Sequence, residues 1–280
     1  MSANLSKLYY KDYFSNMSFD DGDGDKRKIK EKNRILEGSV WVPMPKNESA
    51  KAEHCIRTVI QYPGLVTGVG INHEARIEGE FKLGVHFDYS YGMPVIYGSS
   101  VKGLMRSAFP QSISEIQRES VVTKRNKKEK IRNAKIKLIK DYLKELSIDS
   151  GTIDIDSLRD EIFEGNVKNE DGIVKPISIY NRDIFFDAVI IAANRKNRIL
   201  ESDSITPHIK KDIPYEKSIL KNPVPITFLK IASGVTMEFR FDLKDGIINS
   251  LKKKELFEKI LLDFGIGAKT NVGYGQFNKV

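Results

Sequence analysis

The chain has 280 residues, 40% of them hydrophobic and 30% charged, which is ordinary globular material with length enough for one decorated domain or two small ones. Its single cysteine, Cys55, excludes an internal disulfide and a cysteine-based zinc site, and no apolar run approaches the about 18 residues of a membrane-spanning helix. A formal charge of +8 and a pI of about 9.2 favour a polyanionic partner.

Residues Met1 to Lys7 lack the apolar core of a signal peptide, so a cytoplasmic location is expected. Leu8 to Phe14 is aromatic-rich, and Tyr9, Tyr13 and Phe14 fit one helical face that would dock on the body of the protein. Aspartates alternate from Phe19 to Lys26. A calcium loop starting at Asp21 would need Gly at 26 and Glu at 32, and lysine stands at both, so a solvated loop is expected. The β-branched run 55–61 predicts a strand, stopped by Pro63-Gly64. Gly68, Gly70 and His73 follow in a loop. The next strand, 81–89, alternates cleanly, with Phe81, Leu83, Val85, Phe87 and Tyr89 on one face.

A helix is predicted over 99–109, with Ser99 or Ser100 as its N-cap and Val101, Leu104, Met105 and Ala108 as an apolar stripe. Lys102 and Arg106, four apart, share an exposed face near the helix start. Free amides, the positive dipole end and two cations would together attract an anion; a capped surface helix with solvated charges is the simpler alternative.

Residues 123–146 form a charge-rich helix with Ile131, Leu138, Ile139, Tyr142, Leu143 and Leu146 available for burial. Ten basic and two acidic residues fall between Lys124 and Lys144, and setting them aside leaves 36 of each sign from 46 and 38. The whole formal net charge therefore sits there. Such a helix could meet nucleic acid, an acidic neighbouring subunit or water. A short helix and a polar turn follow over 153–170. Residues 183–192 read as a buried strand, continuous in apolar residues apart from Asp187. Residues 194–222 show little periodicity. Residues 226–231 and 235–243 flank Ser233-Gly234 as a hairpin, and 249–264 is an amphipathic helix with Phe257, Ile260, Leu261 and Phe264 inward.

That helix leads into Asp263–Phe277, where glycines stand at 265, 267, 273 and 275, ending in a strand over 272–277. A backbone this rich in glycine can press its amides against a large ligand, and Lys269, Thr270 and Asn271 add a cation and two polar groups. The segment is not a P-loop, because Ala268 and Asp263 occupy the glycine positions. Nor is it a dinucleotide fingerprint, since Thr270 replaces the third glycine and the order is helix, loop, strand. Either the glycines end a helix and shape a turn, or Gly265, Gly267, Lys269, Thr270, Asn271, Gly273 and Tyr274 grip a phosphate chain.

Gly265–Phe277 resembles the C-terminal glycine-rich loop of the RAMP superfamily of CRISPR-associated proteins. Tyr62-Pro-Gly-Leu, Phe81-Lys-Leu-Gly, Gly92–Ser107, Thr206-Pro-His208 and Asn222–Leu229 are similar, in order, to the RAMP subunit at the head end of type III-B effectors. The resemblance spans most of residues 1–280; the stretch from Pro110 to Lys175 matches only as a variable insertion.

Strands at 55–61, 184–192, 235–243 and 272–277, with helices at 99–109 and 249–264, give an α+β, ferredoxin-like order, which is also the RAMP core. The chain is then a single domain with a mainly helical, basic insertion over 110–183.

The resemblance implies a non-catalytic subunit that holds guide RNA near its 3′ portion and caps the filament. Its partners would be guide and target RNA, a repeated RAMP backbone subunit, a small helical subunit and a second head-end RAMP. The RNA would lie along Ser99, Ser100, Lys102 and Arg106 and the glycine-rich loop. Tyr274 would be free to stack or wedge. The last strand does not fit the RNP1 pattern, so the grip would be on the backbone and indifferent to sequence.

No cofactor or metal is expected, and no HExxH, cysteine cluster or G-x-S-x-G motif occurs. The rivals are an endoribonuclease processing the guide precursor, with His73 or His86 as base, and a scaffold that touches only protein. Asp187 and Asp242 could serve a metal-dependent nuclease only by their type; an edge position or a hydrogen bond explains each more simply.

Overall fold

The computed structural model describes residues 4–19, 23–43, 52–67, 69–70, 77–81, 83–169, 171–205 and 225–280. The chain opens with α1 (Leu5–Lys7), which continues as a π-turn over Leu8–Asp12. Tyr9 and Tyr13 are buried, as the aromatic spacing predicts, and Tyr13 stacks on Phe81 with ring centroids 5.9 Å apart. Helix α2 (Asp23–Glu37) is a departure from the expected solvated loop. Its Asp25 is buried and accepts hydrogen bonds from the Ser18 and Phe19 amides at 3.0 and 2.8 Å, so this aspartate organises a turn and does not face water.

The central sheet runs in the order β13-β1-β12-β9-β5-β4. These are β1 (His54–Ile60), β4 (His86–Phe87), β5 (Pro94–Ile96), β9 (Ala188–Ala192), β12 (Thr236–Asp242) and β13 (Phe277–Lys279), with β8 (Ile184–Phe185) paired to β12 off that path. Strands β1, β9, β12 and β13 are joined by antiparallel ladders, β1 lying between β13 and β12. Two helices cover one face: α3 (Gly98–Ala108), which enters the chain between β5 and β8, and α7 (Ser250–Phe264), which links β12 to β13. The side chains of Ile56, Ile60, Phe239 and Phe241 join one core with Val101 and Met105 of α3 and Leu256, Phe257, Ile260 and Leu261 of α7. Each such side chain contributes about 1.5–3 kcal/mol on leaving water.

A second sheet runs β10 (Leu200–Ile205), β11 (Ile226–Ile231), β3 (Leu83–Gly84), β2 (Val69–Gly70). Three expectations change here. The predicted hairpin does not form, because β11 and β12 belong to different sheets. The single strand 81–89 is instead β3 and β4, one in each sheet, and Tyr89 lies exposed. Residues 200–205, within the stretch of little periodicity, form β10. The β3–β11, β10–β11 and β9–β12 pairings join segments remote in sequence and leave no local pattern, whereas β4 pairs with the nearby β5.

The insertion carries α4 (Ile113–Gln117), α5 (Val122–Glu145) and α6 (Ile155–Arg159), then a hairpin of β6 (Asn166–Lys168) and β7 (Val174–Pro176), which the polar composition hid. On α5, Ile139, Tyr142 and Leu143 are buried as expected, but Ile131 is exposed. The run 183–192 is broken at Phe186-Asp187 into β8 and β9. Among the described residues no helix is long and apolar enough to cross a membrane.

Lys253 on α7 ties the insertion to this core. Its buried ammonium lies 2.8 Å from Asp183 and 2.9 Å from Glu161. The second oxygens of these carboxylates accept the amides of Lys244 (2.7 Å) and Ile247 (2.9 Å). Removing one partner of such a group strands buried charge. Lys253→Met is therefore expected to lower unfolding free energy by about 3–5 kcal/mol in urea titrations, with Lys254→Met within about 0.5 kcal/mol of wild type.

Candidate functional site

A cleft of about 560 Å³ opens between α3 and the glycine-rich segment. One wall is Ser100, Gly103, Leu104 and Ser107, which share a face of α3 by their spacing of three and four. The other is Phe264 to Ala268 and Thr270, and Leu65, Thr67, His86 and Ile96 close the floor.

The glycine-rich segment is stitched to residues 61–66 by its backbone. Ala268 N donates to Val66 O at 2.7 Å, Gly275 N to Gly64 O at 2.8 Å, and Gln61 N to Gln276 O at 2.9 Å. Gly267 makes the first of these approaches possible: its φ is +98°, and a Cβ there would stand 2.3 Å from the Val66 carbonyl oxygen. After Ala268 the chain turns through Lys269 in the left-handed region (φ 61°) into a 3-10 turn over Thr270–Val272. The amides of Lys269, Thr270 and Asn271 find no acceptor among the described residues. Successive unpaired N–H groups around a left-handed residue make a concavity suited to an anion. The predicted strand 272–277 is thus a turn followed by β13.

The start of α3 differs from expectation. Neither Ser99 nor Ser100 is the N-cap; both lie in the first turn, exposed, and the cap is Tyr97. The Gly98 amide donates to Asp187 at 2.7 Å, so the side chain that interrupts β8 and β9 already supplies this helix end with its anion.

Of the residues singled out from sequence, Ser100, Gly265, Gly267 and Thr270 line the cleft together. Lys102 and Arg106 do share a face, but it is not the cleft face. Lys102 Nζ sits 5.8 Å over the Phe185 ring, and Arg106 is 2.8 Å from Glu164. Lys269 Nζ lies 5.9 Å over Phe228. Asn271 is exposed and Gly273 half-buried at the outer turn. Tyr274 is not free to stack. It is 7% exposed, packs against Val66 and Phe228, and donates its hydroxyl to Asp203 at 2.8 Å. Burial, with the neighbouring carboxylate, pushes its phenol pKa up. His73 and the Thr206-Pro-His208 motif lie outside the described residues.

Sequence reasoning passed over Thr67, Gly103, Ser107 and Tyr62. Tyr62 is 85% exposed at the edge of the glycine-rich segment, where its neighbour Pro63 meets Gly273. The signal for it was the Tyr62-Pro-Gly-Leu motif, which carries part of the family resemblance. His86 faces the cleft with its ring 4.4 Å from that of Tyr97; its Nδ1 is buried without a hydrogen-bond partner, and burial holds its pKa below the usual imidazole value. Among the described residues no group of three or more His, Cys, Asp or Glu is placed to hold a metal ion.

The RAMP superfamily model matches residues 22–278. The CRISPR system Cmr subunit Cmr6 of Pyrococcus furiosus is 28% identical over 241 residues, 76% of this chain, and the aligned region spans 64% of that relative's length. A chain of the type III-B Cmr-beta complex bound to cognate target RNA is similar in fold, with a TM-score of 0.50 at 18% identity over 98% of this chain and 84% of that one. The crystal structure of Cmr6 from Pyrococcus furiosus gives a TM-score of 0.43 at 23% identity, over 81% of this chain and 97% of that one. With the family match running from α2 to the last strand, the chain belongs to the RAMP superfamily.

Proposed function

We propose that this protein is a non-catalytic, RNA-binding subunit of a type III-B CRISPR effector, holding the guide RNA backbone near its 3′ portion and capping a filament of RAMP subunits. The observation that carries the reading is the run of unpaired amides at Lys269, Thr270 and Asn271, set at the rim of a cleft whose opposite wall presents the Ser100 hydroxyl, that of Ser107 being donated to the Leu104 carbonyl at 2.7 Å. Backbone amides and hydroxyls take phosphate oxygens without regard to base, which suits a guide whose base edges stay free for pairing. Similarity to a Cmr subunit supports the assembly partners: other RAMP subunits, a small helical subunit, and guide and target RNA. The strand order β13-β1-β12-β9, with α3 and α7 on one face, supports reading the core as one ferredoxin-like RAMP domain with 110–183 inserted.

An endoribonuclease is the second reading, because His86 faces the cleft. Among the described residues lining that cleft there is neither a carboxylate nor a second imidazole to share its proton, which favours binding over cleavage.

Three substitutions test the grip. Gly103 has open space where a Cβ would stand, so Gly103→Glu places a carboxylate in the cleft without a clash. It is expected to weaken binding of guide-sequence RNA by at least about tenfold in fluorescence anisotropy, with Gly103→Gln much milder. Tyr62→Ala is expected to lose about 1–3 kcal/mol if the exposed ring stacks a base. Gly267→Ala is expected to destabilise the fold by more than about 1 kcal/mol as well as weaken binding, because the clash is with backbone. Unchanged RNA affinity in Gly103→Glu would overturn the cleft as the grip, and cleavage of the bound RNA that disappears in His86→Gln would establish the nuclease.

A further inference from the structure

Helix α5 sorts its ten basic residues into two sets. Four are used internally. Arg125 donates to Glu119 O at 2.9 Å, Lys128 pairs with the Glu119 carboxylate at 2.8 Å, Arg132 pairs with Asp156, and Lys135 donates to Ser107 O at 2.6 Å. These lie on the side of the helix that also buries Ile139, Tyr142 and Leu143. Of the other six, Lys124 lies in the field of the Glu119 carboxylate, and Lys127, Lys130, Lys137, Lys140 and Lys144 have no partner among the described residues. Five of these recur at spacings of three, seven, three and four: Lys127, Lys130, Lys137, Lys140 and Lys144. At 3.6 residues per turn and a rise of 1.5 Å they form one stripe roughly 25 Å long. Exposed Asn126 and Asn133 stand beside them, and Glu129 and Asp141 are the two acids of the segment.

We propose that this outward stripe of α5 is a second nucleic-acid contact, a track for a phosphate backbone separate from the cleft. Like charges at helical spacing repel one another, so the free stripe carries a cost that a polyanion relieves. A strand with one phosphate per about 3.4 Å places about seven of them along such a stripe. The residue type selects nucleic acid over protein. Protein interfaces are enriched in arginine and aromatic residues and depleted in lysine, whereas lysine meets phosphate as a point charge. On α5 both arginines and the only tyrosine point inward, and the outward face offers lysine and asparagine, with one acid, Asp141, between Lys137 and Lys144. The contact would be blind to sequence and strongly salt-dependent.

The test compares two variants of the whole chain. One changes Lys127, Lys130, Lys137, Lys140 and Lys144 to Gln; the other changes Lys11, Lys30, Lys175, Arg195 and Lys196, exposed on other faces, for the same loss of net charge. Binding of labelled oligouridine and of duplex RNA is followed across a salt series by anisotropy, with circular dichroism melting to check folding. The stripe variant is expected to lower the salt slope by roughly 3.5 on the single strand or roughly 4.5 on the duplex, and the larger loss identifies the form bound; the scattered variant leaves the slope near wild type. Equal slopes for wild type and the stripe variant overturn the proposal, as does an equal fall in both variants. Loss of an acidic protein partner in pull-down with the slope unchanged assigns the stripe to protein instead. The cleft fails separately: there, Gly103→Glu binds RNA as wild type does while the stripe variant does not.

Discussion

Close backbone contact between two segments far apart in sequence sets the shape of this molecule. Residues 61–66 leave the central sheet for the second one, and the glycine-rich segment is bonded along them by Ala268, Gly275 and Gln276. The spacing requires glycine at two points: a Cβ on Gly267 would stand 2.3 Å from the Val66 carbonyl oxygen across the crossing, and one on Gly275, whose φ is +69°, would stand 1.9 Å from the Ile266 carbonyl oxygen within the segment itself. Because the segment is held from behind by its own backbone, the amides of residues 269–271 are left facing outward. The same bonds that join the two sheets build one wall of the cleft.

The opposite wall depends on how α3 is rotated. Its apolar residues Val101, Met105 and Ala108 are buried, and this burial turns Ser100, Gly103 and Ser107 toward the glycine-rich segment. Lys102 and Arg106 are carried to the other side, against Phe185 and Glu164. Cations visible in the sequence are therefore spent on packing. Small uncharged residues form the surface a ligand would meet, and that suits a grip through hydrogen bonds to a backbone. Asp187 reinforces the division, since it takes the Gly98 amide at the helix end, while the unpaired amides lie in the loop.

Charge is segregated in the insertion as well. Arg132 and Arg159 share Asp156, and Lys253 sits between Asp183 and Glu161, so the inner side of 110–183 is anchored by ion pairs that include buried groups. The lysines left over are on the far side of α5. The insertion thus has a fixed, neutralised inner face and a predominantly basic outer one.

Strong local periodicity made β1, α3, α5 and α7 legible, because a single element with one buried face writes its period into the chain. The family was legible too, in motifs such as Gly92–Ser107 and Gly265–Phe277. The sequence alone also located the chain's excess charge on one helix. Tertiary structure decided which sheet each strand joined. It separated β11 from β12, divided 81–89 between two sheets, and used Asp187 to break an apolar run, since a buried strand looks the same whichever neighbour supplies its hydrogen bonds. It also decided which polar residues remain free. Tyr274 reads as an available ring until Asp203, 71 positions away, claims its hydroxyl, and Tyr62 gains its exposed place only where Pro63 meets Gly273. Availability is a property of neighbours in space, and the order of residues along the chain does not encode it locally.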